Sequence, residues 1–120
     1  MSIKPEYVDK ILQGTKKYEF RRRIAKDTID SIYIYSTYPV MKVVAKVEVS
    51  GIVFAAPSTL WENTKSAAGI SRRKYREYFK GCKTAYAYKL GGIYMFDPPK
   101  SLQEFGVPFA PQSFIYIDND

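Results

Sequence analysis

The chain has 120 residues, of which 46% are hydrophobic and 26% charged, and this globular composition predicts one domain spanning residues 1–120. Its 19 lysines and arginines outnumber its 12 acids, so the formal charge of +7 favours a polyanionic partner such as nucleic acid. With no histidine and a single cysteine, Cys82, the sequence excludes histidine-based catalysis and an internal disulfide. We therefore expect no bound metal and no cofactor.

Membrane insertion is not expected from the sequence. No apolar run approaches the roughly 20 residues that a membrane-spanning helix needs. Charged residues interrupt the N-terminal segment, which therefore lacks the pattern of a signal peptide. The single cysteine fits a reducing compartment. These features predict a cytoplasmic protein that does not bind membranes, and they leave its oligomeric state open.

The N-terminal segment predicts a short strand, a helix and a second strand. Pro5 suits the first turn of a helix, and Gly14 suits a left-handed C-terminal cap. The next strand alternates from Lys16 onward, and side chains two residues apart share a face of a strand. Glu19 and Arg21 are therefore expected side by side, with Lys16 at the bend that leads to them.

The middle of the chain predicts strands and then helices. Alternation indicates strands at 32–35 and at 43–49, with a continuation beyond Gly51. Pro57 opens a helix that Ser58 or Thr59 would cap, with Glu62 completing a capping box. Ser71 is the predicted cap of a second, basic helix over 72–80.

The remaining segment predicts strands again. Residues 84–90 alternate small and large side chains, 93–96 extend that strand, and Pro98-Pro99 begin a connection. One helical turn is predicted over 101–105 and a closing strand over 114–117. The resulting order, β-α-β-β-β-α-α-β-β, predicts an α+β fold.

The pattern Gly14-x-Lys16-x-x-Glu19-x-Arg21, preceded by Ser2-Ile3-Lys4-Pro5 and an amphipathic helix, resembles the ASCH domain family. The resemblance implies a PUA-like mixed β-barrel with flanking helices. It also implies an association with RNA or with modified nucleobases.

The three charged residues of this motif carry two interpretations. As a polar pocket, Lys16 would contact a phosphate or a base oxygen, Arg21 would donate two parallel hydrogen bonds, and Glu19 would accept from a base amino group. As a structural feature, Glu19 and Arg21 would only pair with each other.

Further candidate contacts to nucleic acid come from the basic runs and from one loop. Phosphate contacts are predicted for basic side chains, whose alternative is a solvated surface. The loop after the strand at 32–35 is a natural place for ligand contacts, whose alternative is turn chemistry. These candidates are Lys4, Arg23, Arg72 and Arg73 among the basic residues, and Ser36, Thr37 and Tyr38 in the loop.

The resemblance to the ASCH family also bears on whether this chain is an enzyme. Some proteins of the ASCH type are amidohydrolases that remove the acetyl group of N4-acetylcytidine, and the resemblance implies a lysine, a threonine and a glutamate acting together. Lys16 matches the lysine, but Glu19 stands at the threonine position. Ala68 stands where the glutamate is estimated, with Glu62 the nearest acid.

We therefore predict a non-catalytic module that binds RNA or a modified nucleotide, with DNA as an alternative nucleic acid. An amidohydrolase that uses Lys16 on an N4-acylated cytidine is the second hypothesis, and a regulatory module that binds protein is the third.

Overall fold

The computed structural model describes residues 1–25 and 28–106, which form an α+β fold with one five-stranded sheet and three α-helices. The elements follow the predicted order as far as the last described strand. They are β1 (Ser2–Ile3), α1 (Pro5–Gln13), β2 (Tyr18–Arg21), β3 (Ser31–Ser36), β4 (Lys42–Ala55), α2 (Pro57–Thr64), α3 (Arg72–Tyr78) and β5 (Ala85–Lys100). Short 3₁₀ turns cover Lys65–Ala67 and Leu102–Phe105. The closing strand predicted over 114–117 lies outside the described residues.

The sheet has the strand order β1-β3-β4-β5-β2, with β1 parallel to β3 and the other pairs antiparallel. The ladder between β4 and β5 contains register shifts, one of them between Val49 and Gly51. The strand β5 continues past Gly91-Gly92 and through Pro98-Pro99 to Lys100, so the prediction of a connection at the prolines was wrong. A strand edge tolerates proline because the missing N–H is not needed there, and β2 pairs only with residues 86–89 of β5.

The two ends of the sheet, β1 and β2, approach each other without joining. Among the described residues no backbone ladder connects them, so the predicted barrel describes this sheet only loosely. The Arg21 Nη2 atom donates a hydrogen bond of 3.2 Å to the Ser2 carbonyl oxygen across this opening. A side chain therefore bridges the position at which a closed barrel would have a strand pair.

Two hydrophobic clusters hold the fold together. In the first, Ile34 of β3 and Val47 of β4 alternate inward, as predicted, and pack with Ile11 of α1. In the second, Phe20 of β2 packs edge-on against Tyr75 of α3, with ring centroids 5.1 Å apart. The second cluster fixes α3 beside β2 and so forms one wall of the opening between the sheet ends.

The helix ends show which local signals were decisive. Gly14 adopts φ +84° and its N–H donates to the Ile11 carbonyl, as predicted for a cap. The Ser71 hydroxyl accepts from the Lys74 N–H at 3.2 Å, which confirms the cap of α3. The capping box predicted for α2 was wrong, because Pro57 already starts the helix and its N-cap, Ala56, has no side-chain acceptor. None of the described helices is long and apolar enough to span a bilayer.

Candidate functional site

A cleft of about 500 Å³ lies in the opening between β1 and β2, and α1 and α3 flank it. We call it the Lys16 cleft. Its lining combines cations, two carboxylates and aromatic rings. The lining residues are Ser2, Ile3, Lys4, Tyr7, Lys16, Glu19, Phe20, Arg21, Ile70, Lys74, Glu77 and Tyr78.

Lys16 is the most unusual residue of this cleft because its side chain is only 4% exposed. Its Nζ donates a hydrogen bond of 2.7 Å to the Ala68 carbonyl and lies 4.9 Å from the Phe20 ring centroid and 5.5 Å from that of Tyr7. Burial lowers the pKa of Lys16 below its ordinary value of 10.5, and the nearby Glu19 carboxylate opposes this change. The cleft therefore holds an amine that loses its proton more readily than a surface lysine.

The tight packing over Lys16 depends on Gly69, which adopts φ +64°. A Cβ atom at Gly69 would lie 2.4 Å from the Lys16 Cβ, closer than nonbonded carbons approach. Glycine therefore allows the segment after α2 to cross directly over the lysine stem.

Glu19 and Arg21 lie side by side on β2, as predicted, but they do not satisfy each other. The Glu19 Oε1 atom is 3.9 Å from Arg21 Nη2, longer than the 2.7–2.9 Å typical of a charge-assisted hydrogen bond. Both Glu19 Oε2 and Arg21 Nε are buried without a hydrogen-bond partner among the described residues. An acceptor and a donor beside the cleft thus lack partners among the described residues, whereas buried polar atoms are normally paired.

The rim of the cleft is basic. Lys4 is exposed at one edge, and Lys74 reaches from α3, where its Nζ lies 3.7 Å from the Glu6 carboxylate and 6.0 Å from the Tyr7 ring centroid. The Arg22 guanidinium stacks on the Tyr78 ring at 4.4 Å and donates to the Tyr78 carbonyl at 2.7 Å. Lys4 and Lys74 thus border an interior that contains both a buried amine and a buried carboxylate, and Arg22 packs on the Tyr78 ring outside the lining.

The structure brings together four of the predicted contact residues and separates the others. Lys4, Lys16, Glu19 and Arg21 line the cleft. The remaining six are not among its lining residues. Arg23 is exposed beyond β2, Ser36 is buried in β3, the Thr37 N–H donates to the Ile3 carbonyl, Tyr38 is 80% exposed, and Arg72 and Arg73 lie on the exposed side of α3.

Sequence reasoning missed several side chains of the cleft, among them Tyr7, Lys74 and Tyr78. Tyr7 lies four residues before Ile11 on α1, and Tyr78 lies three residues after Tyr75 on α3, so each also fits the apolar side of its helix. Lys74 and Tyr78 are four residues apart and so share a helix face, which is the one signal that pairs them. Among the described residues no group of three or more acidic or cysteine side chains is arranged to hold a metal ion.

The chain is similar in sequence and in fold to proteins of one known family. The model of the ASCH domain matches residues 1–94. The crystal structure of ASCH from Zymomonas mobilis has a TM-score of 0.89 and 33% sequence identity, and the match covers 99% of this chain and 86% of that one. A serine-to-alanine variant of the Zymomonas mobilis protein has a TM-score of 0.90, 32% identity and coverage of 99% and 87%.

Two curated proteins are also similar. An ASCH domain-containing ribonuclease of Zymomonas mobilis subsp. mobilis is 37% identical over 91 residues, which is 75% of this chain and 62% of that protein. A protein of Ureaplasma parvum serovar 3 named ATP synthase subunit alpha is 30% identical over 118 residues, which is 98% of this chain and 15% of that protein. The chain therefore spans less than two thirds of the length of either curated relative. Since the family model matches 94 of 120 residues and the fold agrees with that of ASCH crystal structures, the chain belongs to the ASCH domain family.

Proposed function

We propose that this chain binds single-stranded RNA and holds one base, ordinary or modified, in the Lys16 cleft. The observation that carries the proposal is the pair of buried atoms without partners, Glu19 Oε2 and Arg21 Nε. Leaving such atoms unpaired costs about 1–3 kcal/mol each, and more where the group is charged. A ligand that supplies both partners recovers this cost.

A nucleobase fits this pair better than a simple anion does. Each base presents a donor next to an acceptor on its Watson–Crick edge, which matches one carboxylate oxygen beside one guanidinium N–H. A phosphate or carboxylate ligand would satisfy Arg21 but would be repelled by Glu19. The rings of Tyr7 and Tyr78 line the same cleft and offer faces to a base, while Lys4 and Lys74 offer charge to its phosphates.

The similarity to an ASCH domain-containing ribonuclease supports RNA as the nucleic acid. The amidohydrolase hypothesis gains no such support from the described residues. Ala68, at the estimated glutamate position, contributes its backbone carbonyl to Lys16, and Glu62 lines a different groove between α2 and α3. Lys16 would thus act without a threonine and a glutamate at the two positions that the resemblance implies.

Cleavage of the bound RNA is a second candidate function, and the lowered pKa of Lys16 favours it. A neutral Lys16 amine would take the proton of a 2′-hydroxyl, and the 2′-oxygen would attack the adjacent phosphorus. The bond from phosphorus to the 5′-oxygen would break, and that oxygen would take a proton from water. The product would carry a 2′,3′-cyclic phosphate.

The test of binding is fluorescence anisotropy with labelled single-stranded RNA, duplex RNA and single-stranded DNA at low salt. The variant Glu19→Gln, Arg21→Gln removes both charges of the pair, and Glu48→Gln, Lys42→Gln is the matched control on the exposed side of β4. We expect the cleft variant to bind single-stranded RNA roughly 10- to 100-fold more weakly, as for loss of charged hydrogen bonds. Equal affinity of the two variants, or no RNA binding by the wild type, would refute the proposal.

The test of cleavage uses the same RNA on a denaturing gel with a chelator present. If the second candidate is correct, the wild type produces fragments with cyclic phosphate ends and Lys16→Met does not. Intact RNA after prolonged incubation with the wild type would refute the second candidate.

A further inference from the structure

A second concave surface, of about 850 Å³, lies between α2 and α3 on the opposite side of α3 from the Lys16 cleft. We call it the α2–α3 groove. Trp61 from α2 and Tyr75 from α3 contribute to its lining, and their ring centroids are 4.9 Å apart. Lys74 and Tyr78 of the same helix line the Lys16 cleft. The helix α3 is therefore a wall shared by two concave surfaces.

The cations of this segment differ in whether a carboxylate accompanies them. Arg73 pairs with Glu77 at 3.3 Å, and Lys74 reaches Glu6 at 3.7 Å. By contrast, three exposed cations that line the groove form no salt bridge with a described residue, although the pKa of the Glu62 carboxyl is lowered by the hydrogen bond and charge of Lys65 and further by the charge of Arg72. They are Arg72, Arg76 and Lys80.

These three cations are spaced four residues apart, so they form one row along the segment. The step from Arg72 to Arg76 rises about 6 Å along α3, and Lys80 follows just beyond the end of this helix. Like charges at this spacing repel one another, which destabilises a helix unless an anion lies beside them. The row thus has an electrostatic cost that a polyanion in the groove would remove.

The opposite wall adds further groups suited to an anion. Ser58 and Thr59 lie exposed in the first turn of α2, whose N-cap residue, Ala56, supplies no side-chain acceptor. The Ser58 and Thr59 side chains line the groove and carry hydroxyl donors suited to an anion. The one carboxylate of the lining, Glu62, is held by Lys65 at 2.8 Å.

We infer that the α2–α3 groove binds the phosphates of a strand that extends beyond the base held in the Lys16 cleft. This inference rests on the proposed function and adds a second contact surface to it. Arg72, Arg76 and Lys80 neutralise successive phosphates, while Trp61 offers a ring beside the strand. The two surfaces share α3, so a strand that crosses this helix reaches both.

The test is the salt dependence of RNA affinity. For single strands, each neutralised phosphate contributes a slope of about −0.7 in log affinity against log salt. The groove variant, Arg72→Gln, Arg76→Gln, Lys80→Gln, therefore loses a slope of about 2. Between about 50 and about 200 mM salt, affinity of the wild type falls roughly 20-fold more than that of the groove variant. The control variant, Lys42→Gln, Lys89→Gln, Lys100→Gln, removes three exposed lysines outside the groove and keeps the steeper slope.

Two further readouts locate the contact. A dinucleotide occupies only the Lys16 cleft, so the groove variant binds it with wild-type affinity, whereas it binds a dodecanucleotide more weakly. Trp61 is the only tryptophan and lines the groove, so the dodecanucleotide quenches its fluorescence in the wild type and the dinucleotide does not.

The outcomes separate the two proposals. If the wild type binds RNA but the groove and control variants have the same salt slope, the groove inference is wrong and the cleft proposal stands. If the Glu19→Gln, Arg21→Gln variant keeps full affinity while the groove variant loses it, the cleft proposal is wrong instead. Quenching of Trp61 by the dinucleotide would also contradict the groove inference.

Discussion

Replacement of Gly69 by alanine tests whether the tight crossing over Lys16 organises the cleft. Gly69 has φ +64°, a conformation that costs an ordinary residue roughly 1–2 kcal/mol. The added methyl would lie 2.4 Å from Lys16 Cβ and 2.6 Å from Cγ. The Lys16 Cβ cannot rotate away, because it is attached directly to the backbone.

The magnitude follows from adding these two effects. Overpacking in a well-packed region costs about 1–3 kcal/mol, so Gly69→Ala is expected to lower the free energy of unfolding by about 2–5 kcal/mol. Relief of the contact requires movement of Lys16 or of the segment at Ala68, which breaks the 2.7 Å hydrogen bond between them. RNA affinity should therefore fall together with stability.

Gly81→Ala is the matched control for this substitution. Gly81 has φ +82°, but an added Cβ there would meet no atom within 4 Å. It carries the conformational cost alone, about 1–2 kcal/mol. Urea unfolding of both variants, analysed with a common slope, measures the difference, which we expect to be about 1–3 kcal/mol.

The result that would refute this reasoning is equal destabilisation by the two substitutions. Equal destabilisation would mean that Lys16 is not held by the chain that crosses it. Wild-type RNA affinity in a folded Gly69→Ala protein would show that the position of Lys16 does not matter for binding.

Three other substitutions test separate features. Lys16→Met removes a lysine whose pKa is lowered in the folded protein, so between that lowered pKa and 10.5 the unfolded wild type binds more protons than the folded one. The stability of the wild type relative to the variant should therefore rise with pH over this range, by about 1.4 kcal/mol for each unit by which the pKa is lowered. Urea midpoints measured across this range test the prediction, and a difference that does not change with pH would contradict it. Tyr75→Phe removes a 2.7 Å hydrogen bond to the Pro57 carbonyl and should cost about 1 kcal/mol near neutral pH. Because burial raises the pKa of Tyr75 to about 12, the wild type should lose stability relative to this variant as pH rises from 10 towards 12, and no such convergence would argue against the burial. Ser71→Ala removes the cap of α3 and should cost about 0.5–2 kcal/mol in thermal unfolding, whereas Ser71→Thr should retain most of it.

Local sequence patterns predicted most of the elements because their causes are local. Pro5 and Gly14 bound α1 through their own backbone preferences, and Ser71 caps α3 through a hydrogen bond three residues away. The alternation in β4 identified its buried face for the same reason. Local rules failed at α2, where Pro57 took precedence over Thr59, and at Pro98 in β5, where the sheet edge accepted a proline.

The sequence motif predicted part of the candidate site. Two-residue spacing placed Glu19 beside Arg21, and the resemblance to the ASCH family singled out Lys16. Whether these residues bind RNA stays a prediction. The spacing left open whether Glu19 and Arg21 only pair with each other. The structure adds their 3.9 Å separation and the two atoms without partners among the described residues, and a ligand role for the pair stays a prediction.

Tertiary structure alone decided the surroundings of these residues. Ala68 covers Lys16 from 52 positions away, and the opening between β1 and β2 depends on how five strands pair across the whole chain. The packing of α3 on Phe20 likewise turns Lys74 towards the cleft and Arg76 towards the groove. The sequence by itself determined which backbone conformations and side-chain faces were available, because those depend on neighbouring residues. The burial of Lys16, its lowered pKa and the division of positive charge between the Lys16 cleft and the α2–α3 groove depend on contacts between distant residues. Only the folded chain could therefore decide them.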